Sequence, residues 1–312
     1  MLLAAVTATA ATLATAQQYP SRPIRVIVPS QAGGGADIVA RLVGQKLAER
    51  WGQQVIVDNR IGVVGAETAA HAPADGYTML FTTSALSVRE SVYRKLPYNT
   101  LRDFAPVTQV LSQSNVLVVH PSVPARTVQE LVALAKAKPG ELNYGTGGNG
   151  TSNHLAGELL AIMTGINVVH VPYKGVPQAL NDTLAGRMQF AFSSPMSVLP
   201  HVKDGRLRII AVTTPKRARM LPDVPTIAES GVPGYEFTGW MGVLVPTNTP
   251  QETVRKLQQE IAKIIFVPAM EQRLAADAAE SVGSTSAEFA AFLKTDIARW
   301  TRVVKEANIH VE

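Results

Sequence analysis

No cysteine occurs anywhere in the 312 residues. That single absence removes disulfides, thiolate nucleophiles, iron–sulfur clusters and thiolate zinc sites together. It leaves the compartment open, because a chain this long buries a sufficient core without bridges. Aromatic residues are also scarce, at 6%. The densest basic group, Lys216-Arg217-Arg219, has no aromatic interleaving, and no nucleic-acid-binding motif appears. The net charge of +5 therefore favours anionic partners in general but not nucleic acid, and the basic cluster reads as a solvated loop face. After the first residues no apolar run approaches the ~20 positions of a bilayer-spanning helix, so the mature chain is expected to be soluble.

Catalytic constellations are missing as well. The six histidines (71, 120, 154, 170, 201 and 310) show no His-Glu-x-x-His and no close pair along the chain, so no metal site is expected. Gly150-Thr151-Ser152-Asn153-His154 begins like a nucleophile elbow but lacks its second glycine. No glycine-rich loop ends in Gly-Lys-Ser or Gly-Lys-Thr, which excludes a Walker-type phosphate loop. No catalytic residue, cofactor or metal is assigned.

What is present begins with Met1 to Ala16, an uncharged Ala/Thr/Leu run ending Ala14-Thr15-Ala16 before Gln17. It has the apolar stretch and small-x-small end of a cleaved signal peptide, though without a basic start, and points to the periplasm. Short β-like runs then alternate with amphipathic stretches, which predicts an α/β protein with mainly parallel sheets. Strands are expected at 24–29, 54–58, 77–83, 142–146, 167–171, 188–192 and 207–214, with helices between them. Thr127 and Glu130 spell a capping box before one helix. The pattern loosens at about 100–127 and again at 239–245, which suggests one lobe interrupted by another. The expected division is 17–118 with 240–312, and 119–239. On the last helix Phe289, Leu293, Ile297, Trp300 and Val304 form one apolar stripe, expected to be core.

Two glycine-rich turns each lead from a strand into a helix: Gly33-Gly34-Gly35-Ala36-Asp37, and Gly145-Thr146-Gly147-Gly148-Asn149-Gly150 before Thr151 and Ser152. The second matches Gly-x-Gly-x-x-Gly, but a dinucleotide site would want an acid at the end of the next strand. That strand ends Val171-Pro172-Tyr173-Lys174. What remains is the ability of a helix N-terminus to hold an anion on free N–H groups. For either loop alone, turn and N-cap chemistry (Asp37; Thr151 or Ser152) suffices. One such loop in each half favours a shared cleft beyond the strand ends.

Several blocks carry a resemblance. They are residues 29–37, Asp58-Asn59-Arg60 with Gly65, Asp75-Gly76-Tyr77-Thr78, and Leu96-Pro97-Tyr98 with Arg102-Asp103-Phe104. Further along come His154-Leu155-Ala156-Gly157-Glu158, Val171-Pro172-Tyr173-Lys174-Gly175 and Leu221-Pro222-Asp223-Val224-Pro225-Thr226. In this order, over nearly the whole mature chain, they resemble the Bug family of tripartite tricarboxylate transporter receptors. The resemblance implies a two-lobed, type II periplasmic-binding fold that closes on a small organic carboxylate, mono- or dicarboxylate and possibly aromatic. The receptor would act as a monomer and deliver its ligand to membrane permease subunits. It also implies that Gly33, Gly34, Gly35, Ala36 and Asp37 in one lobe face Gly147, Gly148, Thr151 and Ser152 in the other. Ser84, Ser193 and Ser194 would be pocket walls. Two positions depart from the family pattern: Ser30 where an aromatic residue is common, and Arg89 where asparagine is common. The rival readings are a bilobed small-molecule enzyme, for which Lys174 is the only motif-placed candidate, and a periplasmic sensor or signalling adaptor.

Overall fold

The computed structural model describes residues 19–93 and 95–306; the expected leader, Met1 to Ala16, lies outside the described residues. Among the described residues no helix is long and apolar enough to cross a membrane. The first half-lobe is a βα repeat. Strand β1 (Ile24–Val28) is followed by α1 (Gly35–Trp51), β2 (Val55–Asn59), α2 (Val63–Ala70) and β3 (Thr78–Thr83). Both β2 and β3 pair with β1 in parallel. Buried apolar residues of α1 (Val39, Val43 and Leu47) pack on this sheet, and Gly52 ends the helix in a left-handed turn with its N–H on the Ala48 carbonyl.

Two short helices, α3 (Ala85–Val92) and α4 (Thr100–Asp103), precede β4 (Phe104–Ser114). This long strand is the first crossing. It ends in the first sheet, and after Asn115 the chain enters the second sheet as β5 (Val116–Val119). The second lobe continues with α5 (Val128–Ala137), β6 (Asn143–Thr146), α6 (Ser152–Thr164) and β7 (Val169–Pro172). It is completed by α7 (Val176–Leu184), β8 (Phe190–Ser193), α8 (Pro195–Lys203) and β9 (Arg208–Val212). The Thr127 side chain accepts the Glu130 N–H at 3.2 Å, the cap its spacing predicts. The chain returns through β10 (Thr238–Pro246) and finishes with α9 (Gln251–Ile265), α10 (Pro268–Ala275), β11 (Ala279–Ser281) and α11 (Ser286–Glu306).

The two sheets have orders β11-β4-β10-β3-β1-β2 and β7-β6-β8-β5-β9. They are mixed, not mainly parallel as the alternation of strands and helices suggests. The crossing strand β10 runs antiparallel to β3 and to β4, and β5 runs antiparallel to β8 and β9. A strand that leaves one lobe for the other cannot be preceded by a crossover helix on its own sheet, so the parallel rule fails at the crossings.

Helix α11 holds the crossing in place. Its stripe buries Phe289, Leu293 and Trp300 as expected, but Asp296 and Val303 are buried while Ile297 is only half-buried. The Asp296 carboxylate accepts the indole N–H of Trp240 from β10 at 2.8 Å and that of Trp300 at 3.0 Å. Burial pushes the Asp296 pKa up, against those hydrogen bonds. Losing this acceptor strands two buried indole donors, each costing ~1–3 kcal/mol. Asp296→Ala should therefore destabilise the protein by about 3 kcal/mol. Urea titration followed by tryptophan fluorescence checks this; a change under about 1 kcal/mol would show that the carboxylate does not hold the indoles.

Candidate functional site

The carboxyl ends of β1, β3, β6 and β8 define where a ligand would sit in an open α/β sheet. From β1 the chain runs through Pro29 to Gly33 into α1. Gly33 has φ +80°, a left-handed conformation that a side chain would strain. Its N–H donates to Asp37 Oδ2 at 2.8 Å. Asp37 is therefore not the N-cap: Gly34 is, and Asp37 is the third residue of the helix, folding its carboxylate back onto the loop. Arg41, one turn on, donates to the same oxygen at 3.1 Å and lies 3.0 Å from the other. Burial raises the pKa of this carboxyl, yet the Arg41 and Gly33 hydrogen bonds win and hold it below the usual aspartate value. The N–H groups of Gly35, Ala36 and Asp37 have no acceptor among the described residues.

The second loop repeats this construction. Gly150, φ +71°, is again the residue before the N-cap, here Thr151. Its N–H donates to the third residue of the helix, His154, at Nδ1 and 3.1 Å. Thr151 occupies the N-cap position but does not cap with its side chain, because its hydroxyl donates to the Gly148 carbonyl at 2.8 Å. Asn153 anchors α6 to the opposite strand end by donating to the Phe192 carbonyl. The N–H groups of Ser152, Asn153 and His154 have no acceptor among the described residues.

Buried hydroxyls without partners stand at the carboxyl ends of three strands: Ser30 after β1, Ser84 after β3 and Ser193 at the end of β8. Ser84 and Ser193 are 1% and 2% exposed. Ser193 lines a small cavity with Gly145, Thr146 and Asn153, at the α6 N-terminus. The two lobes meet over this region, where Gln31 Oε1 comes to 3.7 Å from the place a Cβ on Gly175 would take.

Other expected residues are placed differently. The Ser194 hydroxyl is not free to face a ligand, because it donates to Asp277 of the other lobe. The same carboxylate accepts the Met196 N–H at 3.3 Å and the Gln113 amide at 2.9 Å. Asp277 thus caps α8 from across the crossing, and burial raises its pKa. Arg89 lies beside Tyr98, with Nη1 buried and unpartnered. Lys174 is exposed. Lys216, Arg217 and Arg219 line a larger cavity of about 860 Å³ at the outer strands β11 and β9. Arg217 there pairs with Glu229 at 2.9 Å, and Arg219 lies 3.7 Å from Glu280. Volume alone would favour this cavity, but the free N–H groups of two helix starts and the unpartnered hydroxyls of Ser30, Ser84 and Ser193 stand at the strand ends. A buried donor or hydroxyl without a partner is costly, so the strand-end cleft is the stronger site.

A network escapes the sequence. His154 and His170, sixteen positions apart, stack with ring centroids 3.9 Å apart beneath the second loop. No spacing rule pairs them: the β6–β7 register sets His170 beside Tyr144, whose hydroxyl bonds to Glu158 on the helix that carries His154. No group of three His, Asp or Glu able to hold a metal occurs among the described residues.

Residues 39–309 match the family described as tripartite tricarboxylate transporter family receptor. The chain is 35% identical to the protein BugT of Bordetella pertussis over 297 residues, 94% of this chain and 91% of that one. An R. palustris structure with adipate superposes with TM-score 0.86 at 36% identity, over 94% of this chain and 99% of the other. A structure described as a periplasmic transporter gives 0.84 at 36%, over 94% and 100%. MatC from Rhodopseudomonas palustris with bound malate gives 0.82 at 26%, over 92% and 100%.

The geometry of the first loop makes its own test. Asp37 has a lowered folded pKa, so its contribution to stability is present above the unfolded aspartate value of about 3.9 and is lost as pH falls through the folded one. Asp37→Ala removes charge-assisted bonds worth ~1.5–3 kcal/mol. Urea denaturation should show that gap at neutral pH and its closure as pH falls below about 4. A gap that persists at the acid end would mean the loop is held by something other than the ionised carboxylate.

Proposed function

Because this chain belongs to the family of tripartite tricarboxylate transporter receptors, the Bug family, we propose that it captures a small organic carboxylate in the cleft between its lobes. It is read as performing no chemistry on that ligand and delivering it to the membrane subunits of a tripartite transporter. The observation that carries this reading is the pair of free helix starts, at Gly35–Asp37 and Ser152–His154, flanking the unpartnered hydroxyls of Ser30, Ser84 and Ser193. Six N–H donors and three hydroxyls form a concave set suited to carboxylate oxygens and bridging water. The bound adipate and malate of the similar structures have the same chemistry.

The two loops divide the work by charge. The α1 N-terminus already carries the Asp37 carboxylate, whereas the first turn of α6 holds no acid. A ligand carboxylate is therefore assigned to the second loop, with Gly147, Gly148, Thr151, Ser152 and Ser193 around it. Residues 33–36, Ser30 and Ser84 close over the rest of the ligand. The first lobe is taken as 17–118 with 240–312 and the second as 119–239.

Adipate and malate should raise the melting temperature, by about 2.7 kcal/mol of added stability at a hundredfold excess over Kd. Thr151→Asp should abolish that gain. Aspartate at an N-cap suits the helix and leaves stability within about 1 kcal/mol. Its charge, about 4 Å from a ligand carboxylate, opposes binding by roughly 4 kcal/mol at an effective dielectric near 20, a hundredfold loss or more. If neutral sugars stabilise the protein and no acid does, or if the variant binds acids as wild type, the site is wrongly assigned.

Export is part of the same reading, supported by the periplasmic character of the similar proteins and by Ala14-Thr15-Ala16. Mass spectrometry of the protein from its own cells should find Gln17, or its cyclised form, at the mature N-terminus. An intact Met1 in a cytoplasmic fraction would overturn it.

A further inference from the structure

The second loop rests on two stacked imidazoles, and they grip it at separate points. His154 Nδ1 accepts the Gly150 N–H at 3.1 Å. His170 Nε2 lies 2.6 Å from Thr146 Oγ1, which in turn accepts the Gly148 N–H at 3.2 Å. A backbone N–H can only donate, so His154 Nδ1 carries no proton and the ring proton sits on Nε2. That nitrogen lies 3.5 Å from Glu158 Oε1 on the next turn of the same helix, and Glu158 also accepts the Tyr144 hydroxyl from β6.

The geometry points to His154 as the positioning residue of the carboxylate loop: its neutral imidazole holds Gly150 in the ligand-binding conformation, and taking up a second proton releases the loop and the ligand. This inference rests on the cleft being the carboxylate site. A second proton has only Nδ1 to occupy, which turns the acceptor into a donor facing another donor. Asp37 does the same work for Gly33 with a carboxylate oxygen, which retains its acceptor down to far lower pH. The device is thus built twice, with a carboxylate in one loop and an imidazole in the other.

The groups that face His154 act in both directions. Glu158, on its own helix, favours the imidazolium. His170, stacked on it from β7, and the positive end of α6 oppose it. Over that pH range the neighbours keep one state each: His170 is lowered to about 4 by burial and then by the charge of His154, and Glu158, despite burial, is held low by its bonds to His154 and Tyr144. Burial and Glu158 keep the Tyr144 hydroxyl protonated.

The test is adipate titration by calorimetry between about pH 7.5 and about pH 5.5, the range in which histidine changes charge, on wild type, His154→Asn and His154→Leu. Asparagine supplies the same acceptor without titrating, as Asp37 does in the first loop, and it corrects for the ligand's own protonation. His154→Asn should bind within about threefold of wild type at the upper pH, and His154→Leu at least tenfold more weakly. Wild-type affinity should fall about tenfold more than that of His154→Asn across the range. Equal pH profiles, or wild-type binding that strengthens with acid because an imidazolium attracts the ligand, would overturn the proposal. Amide exchange at Gly150, read by nuclear magnetic resonance without ligand, separates this from the functional reading. Protection should survive in His154→Asn, vanish in His154→Leu and decline with acid in wild type, whether or not adipate binds. Protection undiminished in His154→Leu would sink the role of His154 alone.

Discussion

The start of an α-helix leaves backbone N–H groups for which the helix itself has no carbonyl. Most proteins satisfy them with a capping side chain or leave them to solvent. Here α1 and α6 do neither fully: each has a cap position without a capping side-chain bond, Gly34 in one and Thr151 in the other. Each spends the side chain of its third residue on shaping the loop in front of it. The donors left over point from the carboxyl ends of parallel strands, one set in each lobe. That unmet demand is the ground on which the cleft is proposed as a site for an anion rather than a seam between two domains.

Charge then distinguishes the two halves. In the first lobe the shaping group is itself an anion, offset by Arg41, so its helix start offers N–H groups with most of their positive potential already answered. In the second lobe the shaping group is a neutral imidazole followed one turn later by Glu158 rather than by a cation. The Glu158 charge is shared with the Tyr144 hydroxyl and lies beneath the loop, on the side away from the N-terminal donors. On this asymmetry rests the proposed seating of a ligand carboxylate at the α6 end of the cleft. In that proposed seating the other end of the ligand would face Gly33–Ala36, where donors remain but a second full charge would meet Asp37.

How much of this was legible depends on the distance over which each feature is encoded. The βα order, the capping of α5 by Thr127 and the two glycine turns depend on neighbours within a few residues, and they follow from the chain alone. Asp37 shows the limit: its type and place near a helix start suggest a cap, but the cap position falls on Gly34 because the left-handed Gly33 moves the helix start. Features that require pairing across the chain are invisible to local pattern. The antiparallel run of β10, the short strand β11, the Ser194–Asp277 bond and the His154–His170 stack all arise from segments brought together by the two sheets. The two glycine loops favour a shared cleft and the family resemblance adds its walls, but neither could indicate that Ser194 turns to the seam while Ser193 turns to the cavity.

The carboxyls at the crossing complete the physical picture by contrast with the one in the loop. Asp296 and Asp277 are both buried with neutral hydrogen-bond donors, two indoles for one, a hydroxyl, an amide and a backbone N–H for the other. Without a cation in direct contact, burial wins and their pKa values rise. Asp37 has Arg41, and its pKa falls. A raised pKa means that the ionised group at neutral pH is held at a cost, which only the surrounding packing can sustain. Only one of the raised carboxyls joins the lobes: Asp277, in the turn after α10, is bonded to the start of α8, whereas Asp296 ties α11 to β10 within the first lobe. The cost of burial is thus met at and beside the crossing strands, while Asp37 in the first loop is held by bonds that favour its charge.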